Sequence, residues 1–86
     1  MSYLVEFTTA AARQVRKLPR PARDRVLEAA AGLAETPRPT GAKKLVDEAT
    51  AWRIRVGDYR VIYDIYDSKL TITIVRAGHR RDVYDR

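Results

Sequence analysis

Three arginines in the segment WRIRVGDYRVIYDI, Arg53, Arg55 and Arg60, have a spacing that folding alone does not call for. Further on come Arg76 and then Gly78-His79-Arg80-Arg81-Asp82-Val83-Tyr84, which adds a histidine, two more arginines and a tyrosine. A guanidinium grips phosphate through a bidentate fork and stays charged at any physiological pH. Such a set suits phosphate binding and the stabilisation of negative charge that builds during a reaction. Acid–base chemistry on paired histidines is ruled out, because His79 is the only one. The carboxylates do not cluster at any ligand spacing, so no metal site is expected. No Gly-rich phosphate loop, G-x-S-x-G elbow or H-E-x-x-H helix occurs. Any catalysis is therefore expected to need no metal and no cofactor.

The elements that would position these residues follow from alternation. Trp52, Ile54 and Val56 take one side of a strand, and Arg53 and Arg55 the other. After Gly57-Asp58, residues Tyr59, Val61, Tyr63 and Ile65 alternate against Arg60. Two such runs around a two-residue loop read as a β-hairpin, and Gly in first place suits a type II′ turn. The loop pairs Val56 with Tyr59, and therefore Arg55 with Arg60, Ile54 with Val61 and Trp52 with Tyr63. Opposed side chains lie about 4.5–5.5 Å apart, where like charges destabilise a sheet. Positive charge concentrated at a cost to stability points to a polyanion.

Before the hairpin, residues 2–7 alternate as a short strand. Thr8 or Thr9 can cap a helix over roughly 10–18, with Ala11, Val15 and Leu18 on one face. Pro19-Arg20-Pro21 breaks it and opens a second helix to about Thr36, with Val26, Leu27, Ala30, Leu33 and Ala34 as its buried stripe. A Pro- and Gly-containing loop over 36–41 leads to a possible edge strand over 43–46. After the hairpin, Asp67-Ser68-Lys69 turns into a last strand over 70–76, which Gly78 ends. The β-α-α-β-β-β order predicts an α+β fold, with two N-terminal helices on one face of a mainly antiparallel four- to five-stranded sheet. The other face, left to solvent, would carry Arg53, Arg55 and Arg60.

Eighty-six residues make a single domain spanning 1–86. With no cysteine, disulfides and thiol chemistry are excluded, and a reducing cytoplasm is compatible with the chain. No apolar run approaches the roughly 20 residues of a membrane span, and MSYLVEF lacks the order of a signal peptide. A net charge of +6 and a pI of about 10.1 favour an acidic partner. Against a phosphate site stands a solvated strand face neutralised by Asp58, Asp64 and Asp82. Tyr84 could have its pKa lowered by neighbouring guanidiniums and move a proton, or stack on a base, or simply anchor its tail. His79 reads as a surface residue or a phosphate contact. Trp52, Tyr59 and Tyr63 read as core.

WRIRVGDYRVIYDI followed by VRAGHRRDVY resembles the C-terminal half of RelE-type toxins of the RelE/ParE superfamily, and AARQVRKLPRPARDRV around the helix break fits the same pattern. The resemblance implies a type II toxin–antitoxin toxin that cleaves mRNA on the ribosome by 2′-hydroxyl attack on the adjacent phosphorus. It implies that Arg55, Arg60, Arg80 and Tyr84 are catalytic and that Arg53 belongs to the same basic site. Arg53, Arg76, His79 and Arg81, grouped with them by the basic cluster itself, are expected to hold RNA. The partners the resemblance implies are the ribosome with its mRNA and an acidic, partly disordered antitoxin that folds on binding. Operator DNA would be reached only through that complex. Some RelE enzymes carry lysines where this chain has Arg53 and Arg55. Arginine is a poor proton acceptor, which leaves Tyr84, His79 or a ribosomal RNA group as the base. The alternative within the superfamily is a ParE-like toxin that inhibits DNA gyrase without cleaving RNA.

Overall fold

The computed structural model describes residues 2–83. The chain runs β1 (Leu4–Phe7), α1 (Thr9–Arg16), α2 (Arg20–Gly32), β2 (Lys43–Lys44), β3 (Ala51–Val56), β4 (Tyr59–Tyr66) and β5 (Thr71–His79), with a 3-10 turn at Asp67–Lys69. The strands form one sheet in the order β1-β5-β4-β3-β2. β1 is parallel to β5, and the other neighbours are antiparallel. Both helices lie on one face, as the element order predicts. There Ala11, Val15, Val26, Ala30 and Leu33 close over Ile54, Val61, Tyr63, Ile65, Ile72 and Ile74.

Thr8 caps α1, its Oγ1 accepting the Ala11 N–H at 3.0 Å. α2 ends at Gly32, short of Thr36. The Leu33 and Ala34 N–H groups bond back only three residues, and the Ala34 carbonyl accepts the Tyr3 N–H at 2.8 Å. The backbone group that would have extended the helix instead ties it to the start of β1. Leu27, expected in the buried stripe, is 42% exposed. α2 meets the sheet through Val26, Ala30 and Leu33, an i, i+4, i+7 line too narrow to take it in.

The hairpin forms in the expected register, with Arg55 opposite Arg60 and Val56 opposite Tyr59. Gly57 has φ 62° and Asp58 does not share that region, which is the type II′ pattern. The last strand departs from expectation. β5 continues through Gly78 to His79, and its register against β4 slips once: Tyr63 pairs with Ile74, but Ile62 pairs with Arg76. Val75 is the extra residue of a β-bulge. In an unbroken strand Arg76 would follow Ile72 and Ile74 into the core. The bulge turns it onto the opposite face and places Ala77 in the core instead.

That opposite face is not simply left to solvent. Leu45, Ala51, Ile62 and Val83 are buried together there, with Val75 packed against them. Arg53, expected to project from an open surface, is only 6% exposed among them.

Candidate functional site

Arg55 and Arg60 face each other across β3 and β4, beside the Gly57-Asp58 turn. Arg55 is exposed and Arg60 half-buried, with Arg60 Nη1 donating to the Val83 carbonyl at 3.3 Å. The next row of the sheet toward β2 holds Arg53, opposite Lys43 on one side and Ile62 on the other. Ile62 in turn pairs with Arg76, which is exposed on this face. Arg53 therefore lies beneath the surface, where it adds to the positive potential without presenting its fork to a ligand.

The chain beyond β5 is folded back by local bonds. The Arg80 N–H donates to the Asp58 carbonyl at 2.7 Å, and the Asp82 N–H to the His79 carbonyl at 2.8 Å. Exposed Arg80 thereby starts out from the β3–β4 turn, next to the opposed pair, and Val83 lands on the sheet. Arg81 is exposed in the same turn. Tyr84, the expected catalytic tyrosine, lies outside the described residues. Of the acidic residues weighed as neutralisers, Asp64 accepts the Thr50 hydroxyl at 2.9 Å, while Asp58 and Asp82 are exposed.

His79 does not join Arg55 and Arg60, although it lines a cleft together with Arg76. It pairs with Tyr59 on the helix-facing side, the two rings meeting edge to face at 5.5 Å. Its Nδ1 accepts the Arg81 N–H at 3.2 Å, so the neutral ring carries its proton on Nε2 and is a donor there. A cleft of about 550 Å³ opens beside it, lined by Gln14 and Lys17 at the end of α1 and by Tyr59, Ala77 and Asp82. Gln14 Oε1 accepts the Ala77 N–H at 2.9 Å, satisfying a strand edge that β1 no longer covers. Sequence reasoning missed Gln14 and Lys17, and no local signal could have supplied them: Gln14 and Ala77 are 63 positions apart.

The perturbed titrating groups lie at the other end of β4. Asp67 accepts the Tyr3 hydroxyl at 2.6 Å and pairs with Arg38 Nη2 at 2.8 Å. These two bonds, the Arg38 one foremost, hold its carboxyl below its ordinary value. Burial pushes the Tyr63 phenol, which donates to the Pro37 carbonyl at 2.8 Å, up to about 12. Both are fastenings of the 36–41 loop. At the turn end, the described residues supply guanidiniums to hold a phosphate and take up charge, and none of those guanidiniums can accept a proton. No cluster of three His, Cys, Asp or Glu side chains occurs among the described residues. No helix among them is long and apolar enough to cross a membrane.

The chain is thus a small basic α+β domain, with opposed arginines at one turn and a C-terminal segment folded back onto its sheet. Residues 5–84 match the family described as "ParE toxin of type II toxin-antitoxin system, parDE", and the chain belongs to this RelE/ParE superfamily of toxins. Toxin RelG of Mycobacterium tuberculosis is 39% identical to it over 87 positions that span 100% of both chains. The fold is similar to that in the RelBE2 toxin–antitoxin complex of the same organism, with 39% identity, 93% of each chain covered and a TM-score of 0.83. It is also similar to the archaeal RelE–RelB complex of Pyrococcus horikoshii OT3, with 28% identity, coverage of 96% of this chain and 100% of that one, and a TM-score of 0.82.

Proposed function

We propose that the chain is a ribosome-dependent endoribonuclease of RelE type that cuts mRNA without a metal. The observation that carries this reading is the Arg55–Arg60 pair, with the Arg60 guanidinium bonded to Val83 one residue before Tyr84. In this reading the ribose 2′-hydroxyl attacks the adjacent phosphorus and the 5′-oxygen leaves, giving a cyclic phosphate and a free 5′-hydroxyl. Arg55, Arg60 and Arg80 hold the phosphate and take up the charge that grows on its oxygens. Arg76 and Arg81 position the backbone, and buried Arg53 strengthens the field from below. The 2′-hydroxyl proton passes to Tyr84 or to a ribosomal RNA group. His79, with Nδ1 occupied, serves as a donor.

The RelE-type relatives are found in complex with RelB antitoxins, and a cognate antitoxin is the partner inferred here. An acidic segment that folds as it binds would suit the basic surface. The cytoplasm is where ribosome, mRNA and antitoxin would meet the toxin.

A second reading, inhibition of DNA gyrase, is favoured by the ParE description of the matching family. Primer-extension mapping of mRNA ends in cells expressing the chain separates the two. Codon-phased cuts support the nuclease, whereas DNA breaks with intact mRNA would reject it.

A further inference from the structure

Gly32, the last residue of α2, meets neither of the needs that usually place a glycine. Its φ lies outside the left-handed region, so no helix-ending turn requires it. A Cβ at this position would meet nothing within 4 Å, so no close packing requires it either. Glycine is meanwhile the poorest helix former after proline. What the absent side chain leaves open is a cavity of about 400 Å³ between the end of α2 and the outer edge of β3. That is within the roughly 300–1,000 Å³ of small-ligand sites.

Ala29, Leu33 and Ile54 make the walls apolar, and Thr36, Thr40 and Arg55 are the polar groups among them. The loop side is a tight turn. The Ala42 N–H bonds the Pro39 carbonyl at 2.9 Å, and Gly41, with φ 91°, takes the third place of a type II turn. Neither threonine hydroxyl bonds another described group. The strand edge adds a further donor and acceptor. The Leu45 N–H bonds the Ala51 carbonyl at 3.0 Å, which sets the odd-numbered residues of β3 with their backbone groups toward β2. β2 covers that edge only at Trp52 and Arg53. The Arg55 N–H and C=O therefore face outward just past the end of β2, beside the cavity, and no described group bonds them.

We propose that this cavity holds a nucleobase of the RNA, next to the phosphate that Arg55 and Arg60 clamp. An unstacked base is held by contact on its flat faces and read by hydrogen bonds along its edge. Ala29, Leu33 and Ile54 suit the faces, and Thr36, Thr40 and the Arg55 backbone suit the edge. Arg55 thus serves both sites, its side chain in the clamp and its backbone at the cavity. An aliphatic side chain of an antitoxin would fit the walls but cover those donors and acceptors without pairing them, which is costly and favours the base. This rests on the RNA-cutting reading above and names the part of the substrate that phosphate contacts leave unread.

The test titrates the isotope-labelled full chain with each of the nucleoside 5′-monophosphates, and with ribose 5-phosphate as a phosphate lacking a base. Binding is read from backbone amide signals. At least one nucleotide should move the Gly32, Gly41 and Arg55 signals and bind about tenfold more tightly than ribose 5-phosphate, the scale of one base contact. Gly32→Leu, which should melt no lower than wild type, should erase that gain and leave ribose 5-phosphate binding unchanged. Thr36→Val fills no extra space and keeps the test readable if Gly32→Leu folds poorly. It should weaken the preferred nucleotide about two- to tenfold, the worth of one hydrogen bond. Equal binding of nucleotides and ribose 5-phosphate, or no shift at those three amides, overturns the proposal. So does a base gain that survives in every variant that folds, even where antitoxin binding is lost, which would make the cavity a protein pocket. Nucleotide binding is read without cleavage. A base gain without codon-phased cuts in cells would sink the nuclease reading and leave the base pocket standing, and codon-phased cuts without a base gain would do the reverse.

Discussion

Gly78 leaves open the place on the sheet that Val83 fills: a Cβ at position 78 would stand 3.0 Å from Val83 Cγ2. Gly78 is also the β5 partner of Arg60, whose guanidinium bonds the Val83 carbonyl. The absent side chain, the returning chain end and the arginine are therefore one arrangement. Gly78→Ala should force Val83 to shift by a few tenths of an ångström in its seat on the sheet, at an overpacking cost of about 1–3 kcal/mol. Toxicity in growth assays should fall further than a melting shift of that size explains. A variant as toxic as wild type would show that the seating of Val83 does not matter to function.

Arg60→Ala should abolish toxicity with only a small loss of stability. Removing one of two opposed cations relieves roughly 0.2–1 kcal/mol. Losing the long, 3.3 Å bond to the Val83 carbonyl costs about 1.5 kcal/mol, the low end for a charged donor. The loss exceeds the relief by about 1 kcal/mol, so the melting midpoint should fall by no more than about 4–8 °C. Retained toxicity, or a variant that does not fold, would contradict a phosphate clamp at this position.

Proton transfer separates Tyr84 from His79. Tyr84→Phe keeps an aromatic ring while deleting the ionisable oxygen, and should strongly slow single-turnover cleavage on ribosomes with little change in RNA binding. His79→Ala should cause a smaller loss, because its Nδ1 is already engaged by the Arg81 N–H. The reverse ranking would make the histidine the base.

Tyr63→Phe should cost about 1 kcal/mol by orphaning the Pro37 carbonyl and should leave toxicity unchanged. It also carries a pH signature. The phenol is raised from 10.0 to about 12 in the fold, so its contribution is full below 10 and is lost as pH rises through 12. Alkaline melting curves of the variant should lack that loss. If the two proteins lose stability in parallel between pH 10 and 12, another group is responsible.

Asp67→Asn tests the fastening at the other end of the sheet. A carboxyl held below its ordinary 3.8 adds stability that is present above that pH and lost as pH falls through the lowered value. The pair with Arg38 is well exposed, 42% and 56%, so salt screens it. The wild type should melt slightly above the variant at neutral pH, with the gap closing under strong acid or high salt. A gap indifferent to both would mean that the aspartate acts through packing.

What the sequence determined was local. A period of two and a two-residue Gly-Asp loop were enough to set the β3–β4 register, and with it the Arg55–Arg60 pair, because both depend only on neighbours along the chain. Thr8 and the Pro19–Pro21 break likewise marked the helix starts through bonds made within a turn. The tertiary structure decided what covers each face. Whether Arg53 meets water depends on Leu45 and Val83, which arrive from distant parts of the chain. The bulge at Val75 has no signature in a run of alternating residues, yet it sends Arg76 to one face and Ala77 into the core. His79 and Gln14 share a cleft only once α1 packs beside the free edge of β5. Alternation says which residues share a side of a strand; burial is then conferred by whatever packs there, and long-range packing made at folding selects it.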